Sequence, residues 1–226
     1  MTQLNTSDPA YIEAMQYYLA GDWEEARSRF HTLCEKYEKS TFVRLVLGDT
    51  YYGLGKLDTA IQWYQEAIFL NPSFGLAYYN LGVGFYRKGH LNRALDAFNM
   101  VEQTGQHHAM AYYFTGLIHS YLGNDAKATA AFETFKEKSP ESMIANLYLA
   151  QLKLKSKDYQ GALGPLQELA EQTPQFAEVQ YMLGTVHYGL HDNAKAVQCF
   201  RRALQINPDD ERSKAKLTLL TDIQFT

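Results

Sequence analysis

Cysteine is nearly missing: Cys34 and Cys199 are the only two in 226 residues. That excludes a disulfide-built scaffold and a cysteine-rich metal site, and a reducing cytoplasm is the expected setting. Positive charge is also short, with 21 Lys and Arg against 25 Asp and Glu. A general nucleic-acid binder needs a basic field, so no nucleic-acid partner is expected. No apolar run approaches the roughly 20 residues that cross a bilayer, and no direct membrane insertion is expected. No basic residue precedes Arg27 and no apolar stretch follows Met1, so a secretory leader is not expected either. The sequon Asn5-Thr6-Ser7 has no meaning without secretion. Six prolines are present, and four of them fall at regular places. What the chain does have is 46% hydrophobic residues, enough for a packed interior, and 17 tyrosines.

A repeat explains the regular prolines. The stretch from Leu47 aligns without gaps on the stretch from Leu81, a shift of 34 residues. Carried along the chain, this ruler marks six windows: 7–40, 41–74, 75–108, 109–142, 143–176 and 177–210. Offset 20 is alanine in every window: Ala26, Ala60, Ala94, Ala128, Ala162 and Ala196. Offset 8 is always small: Ala14, Gly48, Gly82, Gly116, Ala150 and Gly184. Offset 24 is large and apolar: Phe30, Tyr64, Phe98, Phe132, Leu166 and Phe200. Offset 32 supplies Pro72, Pro140, Pro174 and Pro208.

One window reads as two helices. Offsets 4, 7, 8 and 11 share a face of the first, and 20, 24 and 27 share a face of the second. The small residue at offset 8 is expected to face the alanine at 20, letting the backbones approach. Gly21, Gly55, Gly89 and Gly123 at offset 15 suit a left-handed residue ending the first helix. Asp22 with Glu25 reads as a capping box opening the second helix. Proline at 32 stops it. Gly82, Gly84 and Gly89 are thereby packing and capping residues. A phosphate-binding loop would need a strand before them, and neither a P-loop nor a GxGxxG pattern is completed.

These columns resemble the tetratricopeptide repeat family, whose 34-residue signature has Leu-Gly, Tyr, Ala, Phe and Pro at matching places. The resemblance covers residues 7–210. It implies an all-α fold, a right-handed superhelical α-solenoid of six helix-turn-helix repeats. Residues 1–6 would form an N-terminal tail and 211–226 a C-terminal capping helix packed through Ala215, Leu219 and Ile223, with Arg212, Lys214 and Lys216 outward. Departures occur. Window one carries Glu13 and Glu38 at usually apolar and proline positions, though Asp8 and Pro9 still open its first helix. Window three has Gln106 for proline, and its junction with His107 and His108 reads as a solvated, flexible turn. Window five has Lys153 and Lys157 at the aromatic and glycine positions, and Gly161, Gly164 and Pro165 in its second helix, which predicts a kinked, softer repeat.

The resemblance also implies that the first helices line a concave groove, facing it with offsets 2, 5, 6, 9, 12 and 13. Ten of the 17 tyrosines fall in these columns and only five of their 36 residues are charged, an enrichment the fold does not itself require. The candidate protein-binding residues are Tyr11, Met15, Tyr18, Phe42, Tyr52, Leu76, Tyr79, Asn80, Val83, Tyr86, Met110, Tyr113, Phe114, Leu117, Tyr148, Tyr181 and Tyr188. Tyrosine offers a broad apolar ring and one hydroxyl, so the expected partner is another protein presenting an apolar or aromatic peptide or amphipathic helix. Packing between neighbouring repeats is the alternative use of the same columns. Homo-oligomeric self-assembly and a bacterial secretion or assembly chaperone are the other readings.

The family's carboxylate clamp for chaperone tails is not formed. Asn80 has the right type, but Leu45, Asp49, Met110 and Phe114 stand where a lysine, an asparagine and two basic residues would be. His187 and His191 are spaced i, i+4 as if on one helix, yet no HExxH or third ligand accompanies them. His119 and His187 share offset 11 and read as core aromatic substitutes; Cys34 and Cys199 read as small buried hydrophobes. No catalytic motif, metal site or cofactor site is expected, and the chain does not read as an enzyme.

Overall fold

A computed structural model describes residues 4–106 and 108–221. Among them are thirteen α-helices and no strand. They are α1 (Pro9–Ala20), α2 (Trp23–Lys36), α3 (Thr41–Gly53), α4 (Leu57–Leu70), α5 (Gly75–Arg87), α6 (Leu91–Gln103) and α7 (Ala109–Tyr121). Then follow α8 (Asp125–Lys138), α9 (Met143–Lys155), α10 (Tyr159–Gln172), α11 (Ala177–Gly189), α12 (Asn193–Ile206) and α13 (Glu211–Thr221). Two compact units are formed, Met1–Ile118 and His119–Thr226. In the first, α1 through α6 pack each on the next; in the second, α8 through α13 do the same.

The alanine column makes this possible. All six offset-20 alanines are fully buried. The offset-24 side chains Phe30, Tyr64, Phe98, Phe132, Leu166 and Phe200 are buried with them, each such burial stabilising by roughly 1.5–3 kcal/mol. The small residue at offset 8 also meets the ring at offset 24. A Cβ on Gly48 would lie 2.5 Å from Tyr64, and one on Gly184 would lie 2.6 Å from Phe200. The glycine is a seat for the ring, and at Gly48 the Ala60 carbonyl oxygen also lies 3.3 Å from that Cβ position, so columns 8 and 20 approach as expected.

The turns obey register before residue type. Offset 15 is left-handed at Gly21, Gly55, Gly89 and Gly123, and also at Lys157 (φ 60°) and His191 (φ 62°), where the repeat supplies no glycine. His191 therefore lies in the turn after α11 rather than on one helix with His187. Asp8 caps α1 by accepting from the Ala10 amide, with Pro9 next. The expected capping box at Asp22 is absent: with ψ at 69° the side chain makes no cap bond. Helix α10 runs unbroken through Pro165. Gly164 precedes it without a Cβ to meet the proline ring.

The junction of window three is tied: the Gly75 amide at the start of α5 donates to Oε1 of Gln106 at 3.0 Å. His108 is not a solvated turn residue, because its ring stacks on Tyr79 at 4.9 Å; His107 lies outside the described residues. On α13 the inward face is Ser213 and Leu217, with Leu220 beside them, while Ala215 and Leu219 are exposed. The stripe expected through Ala215 and Leu219 is thus replaced by one two residues out of phase, and Ile223 lies outside the described residues.

Candidate functional site

Within the first unit, the tyrosine columns converge on one charged side chain. Asp49, in the middle of α3, accepts from Tyr64 Oη at 2.8 Å and Asn80 Nδ2 at 2.6 Å, both on Oδ1. Among the described residues, its Oδ2 receives only a long 3.5 Å contact from Tyr18 Oη. Four helices supply these groups: α1 gives Tyr18, α3 Asp49, α4 Tyr64 and α5 Asn80. Around them lies a cavity of about 420 Å³, also lined by Trp23, Tyr52, Gly53, Tyr79 and Val83. Gly53 is small because the Trp23 indole lies on it; a Cβ there would come within 2.6 Å of the ring.

Burial pushes the Asp49 carboxyl up to about 6, against the hydrogen bonds of Tyr64, Asn80 and Tyr18, which pull it down. Burial, then the Asp49 charge, pushes the Tyr18 phenol up to about 12. Tyr64 is raised by the same causes in the same order. At neutral pH the site is a carboxylate ringed by neutral phenols. Among the described residues, no cation pairs with Asp49. Arg87 is held 4.8 Å over the Tyr52 ring, outside the lining.

The other candidate residues are distributed as follows. Tyr11, Met15 and Tyr18 are half-buried against the core of the first hairpin. Leu76, Tyr79, Val83, Tyr86 and Phe114 pack partly on the core around Phe98. Phe42 and Met110 stand 38% and 37% exposed, available to solvent. Tyr113 and Leu117 are half-buried. In the second unit, Tyr148 stacks on Phe132 at 4.7 Å. Tyr181 lies beneath Arg212 at 4.3 Å, and Tyr188 beneath Lys216 at 4.8 Å, so α13 turns two of its cations onto the tyrosine columns. Arg212 is fixed there by a bidentate pair with Glu178. Every candidate therefore keeps some exposed surface. Leu45, Val46 and Met182, from the same columns, are buried core.

Sequence reasoning did not single out Trp23, Tyr64 or Asp49 as site residues. Asp49 figured only as a misfit for the carboxylate clamp, and Asn80 is turned inward to it. No group of three or more His, Cys, Asp or Glu able to hold a metal occurs among the described residues. Burial pushes the Cys34 thiol up to about 11 and lowers His187, as expected for packing residues. No helix among the described residues is long and apolar enough to cross a membrane.

Models of the tetratricopeptide repeat match at residues 11–40, 115–175 and 177–210, and a model described as TPR repeat matches at 48–89. The chain belongs to the tetratricopeptide repeat family. It is 26% identical over 181 residues to TPR repeat-containing protein MJ1428 of Methanocaldococcus jannaschii, covering 77% of this chain and 26% of that protein. It is 24% identical over 220 residues to the anaphase-promoting complex subunit CDC16 of Saccharomyces cerevisiae, covering 93% of this chain and 26% of that protein. The chain thus spans about a quarter of the length of these curated relatives. Among solved structures, YrrB, described as a TPR protein with an unusual peptide-binding site, superposes with a TM-score of 0.72 at 20% identity, over 81% of this chain and 95% of that one. PilF of Pseudomonas aeruginosa superposes with a TM-score of 0.73 at 16% identity, over 92% and 95%. These structures share the fold. The family is one of protein-interaction scaffolds.

Proposed function

We propose that the chain is a non-enzymatic scaffold that holds another polypeptide, as an extended segment or an amphipathic helix, along the tyrosine-bearing faces of its first helices. Six repeats over 7–210 and a closing helix from 211 would form the display surface. The observation that carries this reading is the set of half-buried rings from α1, α2, α3 and α5, with the buried Tyr64 of α4 and one carboxylate, gathered around an open cavity. Tyrosines locked by their own packing present contact area with little entropy left to lose on binding. The peptide-binding site described for YrrB and the complex membership of CDC16 support an interaction role of this kind.

The test is recovery of partners from cell extract by the wild type beside Tyr79→Ala/Tyr113→Ala, with circular dichroism confirming that both are folded. Loss of the partners with the variant is expected. Equal recovery would move binding off this face. Light scattering on the purified chain separates the self-assembling alternative, which predicts a defined oligomer whose dissociation follows the same substitutions.

A further inference from the structure

The cavity over Asp49 is too polar at its floor to be filled well by an apolar side chain. A methylene stem seated there would shut water away from Oδ2 of this half-buried carboxylate without supplying a strong donor, an arrangement that opposes binding. The donors already present come from the protein, and two of the three go to Oδ1. Oδ2 holds the remaining acceptor capacity of a carboxylate. The walls are the rings of Trp23, Tyr52 and Tyr79, whose faces attract a cation. Phenols near the floor also have oxygens able to accept from a donor-rich head group. Charge, acceptor geometry and aromatic walls all favour the same visitor.

We propose that this cavity is the anchoring subsite of the groove and takes a lysine side chain of the bound polypeptide, its ammonium on Asp49 Oδ2 and its stem against Trp23, Tyr52 and Tyr79. This rests on the groove reading above and names the residue class it selects. Because Oδ1 already receives two donors, the two-pronged grip of a guanidinium on both oxygens is blocked, and a compact ammonium fits better. Among the described residues, no lysine or arginine of the chain itself pairs with Asp49. The groups that face Asp49 are Tyr18 from α1, Tyr52 from α3, Tyr64 from α4, and Tyr79 and Asn80 from α5, with Trp23 from α2; Arg87 lies over Tyr52 and His108 stacks on Tyr79. Protonation of Asp49 removes the attraction, so binding weakens in acid.

Two probes test this. Titrating n-butylammonium chloride against n-pentanol, with NMR detection of the Trp23 indole and Asn80 side-chain amide signals, reports on the cavity directly. Saturable shifts with the ammonium alone are expected, lost in Asp49→Asn and fading below pH 6 in the wild type. Only the pH dependence that Asp49→Asn abolishes is assigned to Asp49. Equal shifts with the alcohol, or none with either, overturn the lysine subsite. Second, 12-residue peptides displayed as a random library and selected on the wild type are expected to be enriched in lysine. Changing that lysine to norleucine is expected to lower affinity about tenfold or more, and to do so far less against Asp49→Asn. Selected peptides without lysine whose binding is still lost in Tyr79→Ala would end the subsite proposal while leaving the groove reading standing. Selected peptides indifferent to Tyr79→Ala would end both.

Discussion

Asp49 loses water on folding and gains three donors, and the two effects oppose each other. Burial wins, so the folded state binds the Asp49 proton more tightly than the unfolded chain does, with a pKa of about 6 against 3.8. The stabilising contribution of that proton is complete below about pH 4 and is lost as pH rises through 6. Two units correspond to on the order of 3 kcal/mol. Urea unfolding of the wild type is expected to show a fall in stability across this range. Asp49→Asn is expected to flatten it and to be the more stable protein at pH 7; an unchanged slope in the variant would assign the titration elsewhere. Lys157 and His191 give a second residue-scale prediction. Both are exposed and held at positive φ, a conformation that disfavours a side chain by about 1–2 kcal/mol. Lys157→Gly is expected to raise the unfolding free energy by about 1 kcal/mol, and a loss of stability would show that the lysine side chain has an undetected role. The glycines of this column were legible because four windows supply them. The Asp49 cavity was hidden because its members come from different windows and different columns, and no single periodic stripe connects Tyr18, Asp49, Tyr64 and Asn80. An acid at offset 9, in the middle of the second window's groove columns, was the available signal.

Between elements, bulk on one helix is matched by its absence on another. Trp23 at offset 17 lies on Gly53 at offset 13 of the next window, and Tyr159 lies on Gly189 in the same relation. Where offset 17 is Leu57, Leu91 or Asp125, the following offset 13 is Arg87, Tyr121 or Lys155, with no glycine. Gly53→Ala is expected to destabilise by about 1–3 kcal/mol through overpacking. Trp23→Leu in the same chain should recover part of this loss in a double-mutant cycle; simple additivity would refute the steric coupling. Helix α10 is continuous through Pro165, so the penalty of the proline lies in its missing hydrogen bond rather than in a broken helix. Pro165→Ala is expected to stabilise the second unit by up to about 3 kcal/mol, and amides of α10 are expected to exchange faster than those of α4. Equal protection of the two helices would contradict this. Such pairings are readable in the sequence only once the helices are known to touch. The phase of α13 was misread for a related reason: Ala215 with Leu219 and Ser213 with Leu217 are equally spaced, and only the surface of α12, with Phe200 and Leu204, selects the second pair.

At the scale of the molecule, consecutive helices pack each on the next within each of the two units, and stability is expected to be a sum of local terms within each unit. In the first unit, Tyr52, Tyr79 and Tyr113 on its first helices keep part of their ring surface open. In the second unit, helix α13 lays Arg212 and Lys216 on the rings of Tyr181 and Tyr188. Cations on tyrosine faces in the second unit and an unpaired carboxylate among tyrosines in the first are two uses of one aromatic column. The most direct measurement is site-specific photo-crosslinking in cells, with p-benzoylphenylalanine placed in turn at positions 52, 79 and 113, and at 69, where Phe69 on α4 is 82% exposed. Adducts with a common polypeptide from 52, 79 and 113 and none from 69 are expected. Adducts from 69 alone would place the partner on the second helices and contradict a binding face built from the first.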